Sequence, residues 1–178
     1  MKKPKSISEA DTTTSQKQIF YELYEFALKI CIRYTSCQNE PEQVMYEGFA
    51  RLFRNARLTK FVSLQFLQKK IKEILISICI EREKKKIDLE KDSEDELFLS
   101  REPRANTTAL SLSDKQIIDI LRTIPFVLRA AYNMSVIDGF DDQRISLMLG
   151  IPISSVQYYL SLAREQLSQL LQHTTATA

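Results

Sequence analysis

Glycine is nearly missing from this chain of 178 residues, which holds three: Gly48, Gly139 and Gly150. None is spaced as in GxGxxG or GxxxxGK, so they build no glycine-rich phosphate loop. The one histidine, His173, lies in a Thr/Ala-rich tail. Neither a histidine-based triad nor a histidine-built metal centre is expected. Cysteine is scarce and odd in number, with Cys31, Cys37 and Cys79 and no CxxC spacing. That pattern reads as reduced, mostly buried thiols in a cytoplasmic protein. The longest mostly apolar run, Ile74–Ile80 with Ser77 inside it, falls far short of the roughly 20 residues that span a bilayer. The opening MKKPKSISEADTTTSQK is basic at first, with no apolar stretch behind it. It does not read as a signal peptide, and no membrane contact is expected. Carboxylates are plentiful, but none pairs with a base or a metal set. No cofactor, no metal and no enzymatic activity are expected.

What is present points to an all-α protein: 44% apolar residues, few glycines, five prolines and many long side chains. The net charge of +2 hides a division. Residues 1–87 hold 17 Lys/Arg against 10 Asp/Glu, and residues 88–178 hold 8 against 13. A basic first half and an acidic second half suggest two functional parts, the first facing an acidic partner.

The first periodic segment runs from about Ile19 to Tyr34, with Phe20, Leu23, Tyr24, Ala27, Cys31 and Tyr34 on one helical face. A second helix begins near Pro41, with Glu40 and Glu42 at its positive end. Val44, Met45, Phe49, Leu52 and Phe53 are its apolar side. The third segment, roughly Val62 to Lys86, buries Leu64, Leu67, Ile71, Ile74, Leu75 and Ile78, and from Lys60 onward it carries a strong excess of lysine. The expected organisation is a leader over 1–17, a three-helix domain over 18–87, an acidic and polar linker over 88–112, a second helical domain over 113–172, and a tail over 173–178.

The second domain reads as four short helices. Ser113 and Asp114 can cap the first, and Pro125 breaks it. The second, Phe126 to Ile137, ends ahead of Gly139. Asp141 can cap the third, Asp142 to Leu149, which Gly150 ends. The fourth starts near Ser154, with Val156, Leu160, Ala163 and Leu167 on one face. Two short helices around a tight turn at Gly150, with Ile145, Leu149, Ile151, Val156 and Leu160 buried, have the spacing of a helix-turn-helix, which projects its second helix into a DNA major groove. An αα corner of some other helical bundle satisfies the same spacing.

Residues 121–167 resemble region 4 of bacterial RNA polymerase sigma factors of the extracytoplasmic-function type. The match runs through Leu121, Pro125, Arg129, Gly139, Phe140, Ile145, Leu149, Gly150, Ile151, Val156, Leu160, Ala163, Arg164 and Leu167. EPEQVMYEGFARLF, residues 40–53, is similar to a helix of the family's region 2 through Glu42, Glu47, Phe49 and Leu52, with Phe53 in place of a tryptophan. ISICIEREKKK, residues 76–86, resembles the basic end of that region.

The resemblance implies a protein that docks on RNA polymerase core and opens the −10 promoter element with region 2, then reads the −35 element with the last helix of region 4. It implies polymerase contacts at Glu42, Gln43, Tyr46, Glu47 and Phe49. For the separated −10 strand, the basic and aromatic surface offers Lys60, Phe61, Lys69, Lys70, Lys72, Lys84, Lys85 and Lys86. For the −35 duplex the candidates are Arg144, Ser154, Ser155, Gln157, Tyr158, Tyr159 and Arg164. An anti-sigma protein is a further implied partner.

The departures fall on contact positions. The family's Lys-Ser-Arg in the reading helix stands here as Gln157, Tyr158 and Tyr159, and a further Arg as Leu162. The Trp, Asn and Asp of the third region 2 helix appear as Lys70, Ser77 and Glu81, and the clamp-binding Asp and Gln as Gln43 and Tyr46. Residues 112–171 hold 5 basic and 6 acidic groups, so this domain is expected to bind DNA weakly alone. Tethering to polymerase makes its DNA contact effectively intramolecular. The alternative is a sigma-like adaptor that binds polymerase or a regulator without reading promoters.

Overall fold

The computed structural model of the chain describes residues 9–37, 39–54, 63–91 and 114–176, and among these it contains helices and no strand. The helices are α1 (Glu9–Tyr34), α2 (Pro41–Arg54), α3 (Leu64–Lys91), α4 (Asp114–Thr123), α5 (Phe126–Tyr132), a π-helical turn over Asn133–Ile137, α6 (Asp142–Leu149) and α7 (Ile153–Ala176). The all-α expectation holds.

Two helices outrun their periodic segments. No proline or glycine interrupts the chain between Glu9 and Ile19, and α1 starts at Glu9. Residues 81–91 are mostly Glu, Lys and Arg, good helix formers, and α3 continues to Lys91. The rest of the expected linker, Ser113, Lys60, Phe61 and the part of the expected leader before Glu9 lie outside the described residues.

The chain divides into two compact units. The first comprises the chain to Cys31 and Cys37–Ile78; the second comprises Ile32–Ser36 and the chain from Cys79 onward. The expected boundary lay in the linker, with all of α1 and α3 on one side. The C-terminal ends of both helices, from Ile32 in α1 and from Cys79 in α3, are grouped with the second unit.

In the first unit, Leu23, Ala27, Val44, Met45, Leu52, Ile71 and Leu75 are fully buried. Gly48 lets α2 approach α3 closely. A Cβ there would overlap the side chain of Leu75 and come within 3.5 Å of Ile71 Cδ1. An aromatic cluster closes one side: the Phe20 ring lies 4.7 Å from Phe49, 5.6 Å from Tyr24 and 6.2 Å from Tyr46, measured between centroids. Of this unit's cysteines Cys31 is buried and Cys37 exposed, and Cys79, where the second unit's part of α3 begins, is buried.

The second unit is held by apolar packing and a polar network. Ile124, Leu128 and Ala163 form a cluster covered by Leu121, Tyr132, Tyr159 and Leu162. The π-helical turn, closed by the Asp138 N–H on Asn133 O at 2.9 Å, presents Asp138 to the end of α1. Tyr34 Oη donates to Asp138 Oδ2 at 2.8 Å, and Arg33 pairs with Asp138 Oδ1 at 3.1 Å. Asn133 Nδ2 donates to Arg33 O at 3.2 Å. That bond satisfies a last-turn carbonyl of α1, which has no partner within the helix.

Arg129, 2% exposed, ties α5 to the same region. It donates to Ser36 Oγ at 3.0 Å and to Arg122 O at 3.3 Å, and its guanidinium lies 5.6 Å from the Phe126 ring centroid. Ser36 Oγ in turn donates to Glu83 Oε1 on α3 at 3.0 Å. Burial lowers the Arg129 pKa to about 10, and the field of Glu83 opposes that shift.

Candidate nucleic-acid interface

The reading unit is built by local chemistry at each end of α6. Asp141 has extended backbone and its carboxylate accepts the Arg144 N–H at 2.7 Å, an N-cap bond. Gly150 sits at φ +70°, where a side chain would strain the backbone. Its N–H and that of Ile151 both return to Ser146 O, at 2.9 and 3.2 Å. Ser146 Oγ donates to Ile151 O at 2.7 Å, fastening the turn. The Ile153–Leu170 part of α7 then leaves at 94° to α6, as in helix-turn-helix units. Ile145, Leu149, Val156, Leu160 and Ala163 are buried, and Ile151 is half-buried.

The outer face of α7 carries Ser154, Gln157, Tyr158, Ser161 and Arg164, all exposed. Tyr158 is 61% exposed. Gln157 Nε2 donates to Asp142 Oδ2 at 2.7 Å. Ser155 is half-buried, as is Arg144 on α6. Tyr159 turns inward: it packs on the Ile124–Leu128–Ala163 cluster, its ring tilted 46° from that of Tyr158. Its place there is a packing role, and the outer face belongs to its neighbours. Asp141 and Asp142 put two carboxylates at the start of α6, where they repel phosphate.

The lysine candidates are spread along α3. Lys69 is exposed in the first unit. Lys70 pairs with Glu73 at 3.2 Å and lies 5.8 Å from the Phe66 ring centroid. Lys72 is half-buried and interacts with a neighbour. In the second unit, Lys84 and Lys85 are exposed and Lys86 pairs with Glu83 at 2.9 Å. Lys84 Nζ lies 3.2 Å from where a Cβ on Gly150 would stand, so it is brought against the helix-turn-helix turn.

On α2, Glu42, Gln43 and Tyr46 are exposed, and Glu47 pairs with Arg51 at 2.7 Å. Phe49 is 3% exposed. As a contact candidate it is therefore corrected: it anchors α2 beneath Phe20 and Phe53 and presents no surface of its own. Tyr46, stacked on Phe20, is the exposed aromatic of that face.

The polar partners went unread in the sequence. Tyr34 and Asp138, Arg129 and Ser36, and Gln157 and Asp142 are joined across loops and other helices. The one hint was Arg129 itself, a charge set in the apolar run Leu128–Ala131.

Residues 114–167 match the family "Sigma-70, region 4". No curated protein matches the sequence. Among solved structures, the chain is similar to the sigma factor RpoE of Bartonella quintana, crystallised with the anti-sigma factor NepR. The TM-score is 0.58 at 20% identity, covering 88% of this chain and 96% of that one. The chain carries a sigma-70 region 4 domain, with a helix-turn-helix whose second helix is α7, in the fold of a sigma factor.

Proposed function

We propose that this protein is a specificity subunit of RNA polymerase, of the extracytoplasmic-function sigma type. It directs the core enzyme to promoters and performs no chemistry itself. The observation that carries this reading is the exposed outer face of α7, with Gln157 and Tyr158 on a helix set at 94° to α6 inside a region 4 domain. Ser154, Ser155, Gln157, Tyr158 and Arg164 contact the −35 duplex, with Arg144 on phosphate. The basic side of α3, including Lys69, Lys84 and Lys85, attracts the opened −10 strand. Glu42, Gln43 and Tyr46 on α2 meet polymerase. The site of action is the cytoplasm; no single described helix is long and apolar enough to cross a membrane. An anti-sigma protein is a fitting regulator, since the similar Bartonella quintana sigma factor was crystallised with one.

The test is transcription by core polymerase with and without the purified chain on a random fragment pool. A two-block motif upstream of the start sites of chain-dependent transcripts is the expected outcome. One observation favours an adaptor instead: Asp141 and Asp142 place negative charge at the start of α6. An adaptor binds polymerase in the same experiment and enriches no motif.

A further inference from the structure

Asp142 does more than add charge beside the reading helix. Its carboxylate can only accept hydrogen bonds. The Gln157 amide must therefore turn Nε2 toward it, as the 2.7 Å bond shows. An exposed glutamine ordinarily flips its amide freely, offering either end to a base. Here the flip is removed: Oε1 and the second N–H of Gln157 are left in one orientation. That remaining pair, one acceptor and one donor, complements N6–H and N7 of adenine in the major groove. Guanine presents two acceptors on the same edge, O6 and N7. It would leave Oε1 facing O6, acceptor against acceptor.

We propose that Asp142 is a positioning residue that fixes the Gln157 amide and so sets a preference for adenine over guanine at one base pair of the upstream promoter element. The proposal rests on the promoter-reading role given above. Asp142 touches no base itself. It acts through Gln157, and its negative charge weakens phosphate attraction at every sequence alike.

Those two effects have opposite signs, which separates positioning from a structural role. The experiment selects transcribed fragments with core polymerase and the full chain as wild type, Asp142→Asn, Asp142→Ala and Gln157→Ala. Total promoter affinity is measured on the wild-type consensus and on its adenine-to-guanine variant. In the wild type, one upstream position favours adenine over guanine by about tenfold. In Asp142→Asn the amide can pair in either orientation, and the preference there falls below about threefold while the other positions keep theirs. Binding to the guanine variant rises in the same protein, because a repelling charge is gone. Asp142→Ala behaves alike, and Gln157→Ala abolishes the preference at that position. The proposal is overturned if the Asp142 variants retain the full preference, lose all positions equally, or weaken on both DNAs. A wild type that enriches no motif defeats the promoter-reading role itself; a motif indifferent to Asp142 defeats this inference alone.

Discussion

Loss of Asp138 should damage the second unit by an amount that can be worked from its contacts. Asp138→Ala removes two bonds together, the acceptor for Tyr34 Oη at 2.8 Å and the partner of Arg33 at 3.1 Å. Tyr34 is fully buried, so its hydroxyl keeps no water to replace the lost carboxylate. A hydrogen bond to a charged group contributes about 1.5–3 kcal/mol. Breaking a buried ion pair costs about 3–5 kcal/mol. Arg33 retains 22% of its side-chain exposure and water recovers part of that loss. The expected cost of Asp138→Ala is about 3 kcal/mol, against about 1.5 kcal/mol for Tyr34→Phe, which leaves the Arg33–Asp138 pair in place. In the double variant the orphaned hydroxyl is gone as well, so the two costs should fall short of adding by about 1 kcal/mol. Urea unfolding of the four proteins, followed by circular dichroism, gives this cycle directly. Additive costs, or an Asp138→Ala loss below about 0.5 kcal/mol, a typical surface value, would refute the idea that this contact holds α5 and the π-helical turn to the end of α1.

Other consequences follow from the same coordinates. Gly48→Ala gains helix propensity but drives a methyl into Leu75, so a net destabilisation of about 1–2 kcal/mol is expected in the same unfolding assay. Gly150→Ala and Gly139→Ala both force a side chain to φ +70°, each at about 1–2 kcal/mol. Gly150→Ala must also displace Lys84 and should be the costlier of the two by melting temperature. Burial, then the charge of Asp138 and its hydrogen bond, raise the Tyr34 pKa far above its ordinary value of 10. The folded protein thus keeps a proton that the unfolded chain releases above pH 10, and this group's stabilisation is lost as pH climbs past that point. Of the seven tyrosines, Tyr34 should ionise only on unfolding, and Tyr34→Phe should delete that late step from an alkaline absorbance titration. Tyr46→Ala should weaken binding to core polymerase at least tenfold, as loss of an exposed aromatic anchor does, with little change in fold stability.

Local signals carried much of this fold and long-range polar pairing carried the rest. Pro41 marks the observed start of α2, and the apolar residues from Val44 to Phe53 lie within its span to Arg54. Pro125, Asp141 and Gly150 each stand where a helix must start or stop, and each does so. The steps from Val156 to Ala163 gave the buried side of α7, and Gln157 and Tyr158 then had to face outward. Phe49 is buried and Tyr159 half-buried although both stand at family contact positions, because a family pattern marks positions, whereas burial depends on which helix packs over them. Arg129, Ser36 and Glu83 form a chain of bonds among three distant segments. No periodicity marks such partners, because each is a single polar residue whose mate is chosen by the tertiary fold. The Gln157–Asp142 bond escaped for the same reason, although it spans just the turn between α6 and α7.

The central claim is that the outer face of α7 touches duplex DNA when the chain is bound to polymerase. A photoreactive phenylalanine analogue at position 158, where Tyr158 is 61% exposed, tests it by contact. With core polymerase and a promoter obtained by selection, irradiation should join the chain to the upstream block, at one or two adjacent base pairs, and a probe at the buried Val156 position should not. Crosslinks from position 158 to polymerase subunits alone, with none to DNA, would contradict the account.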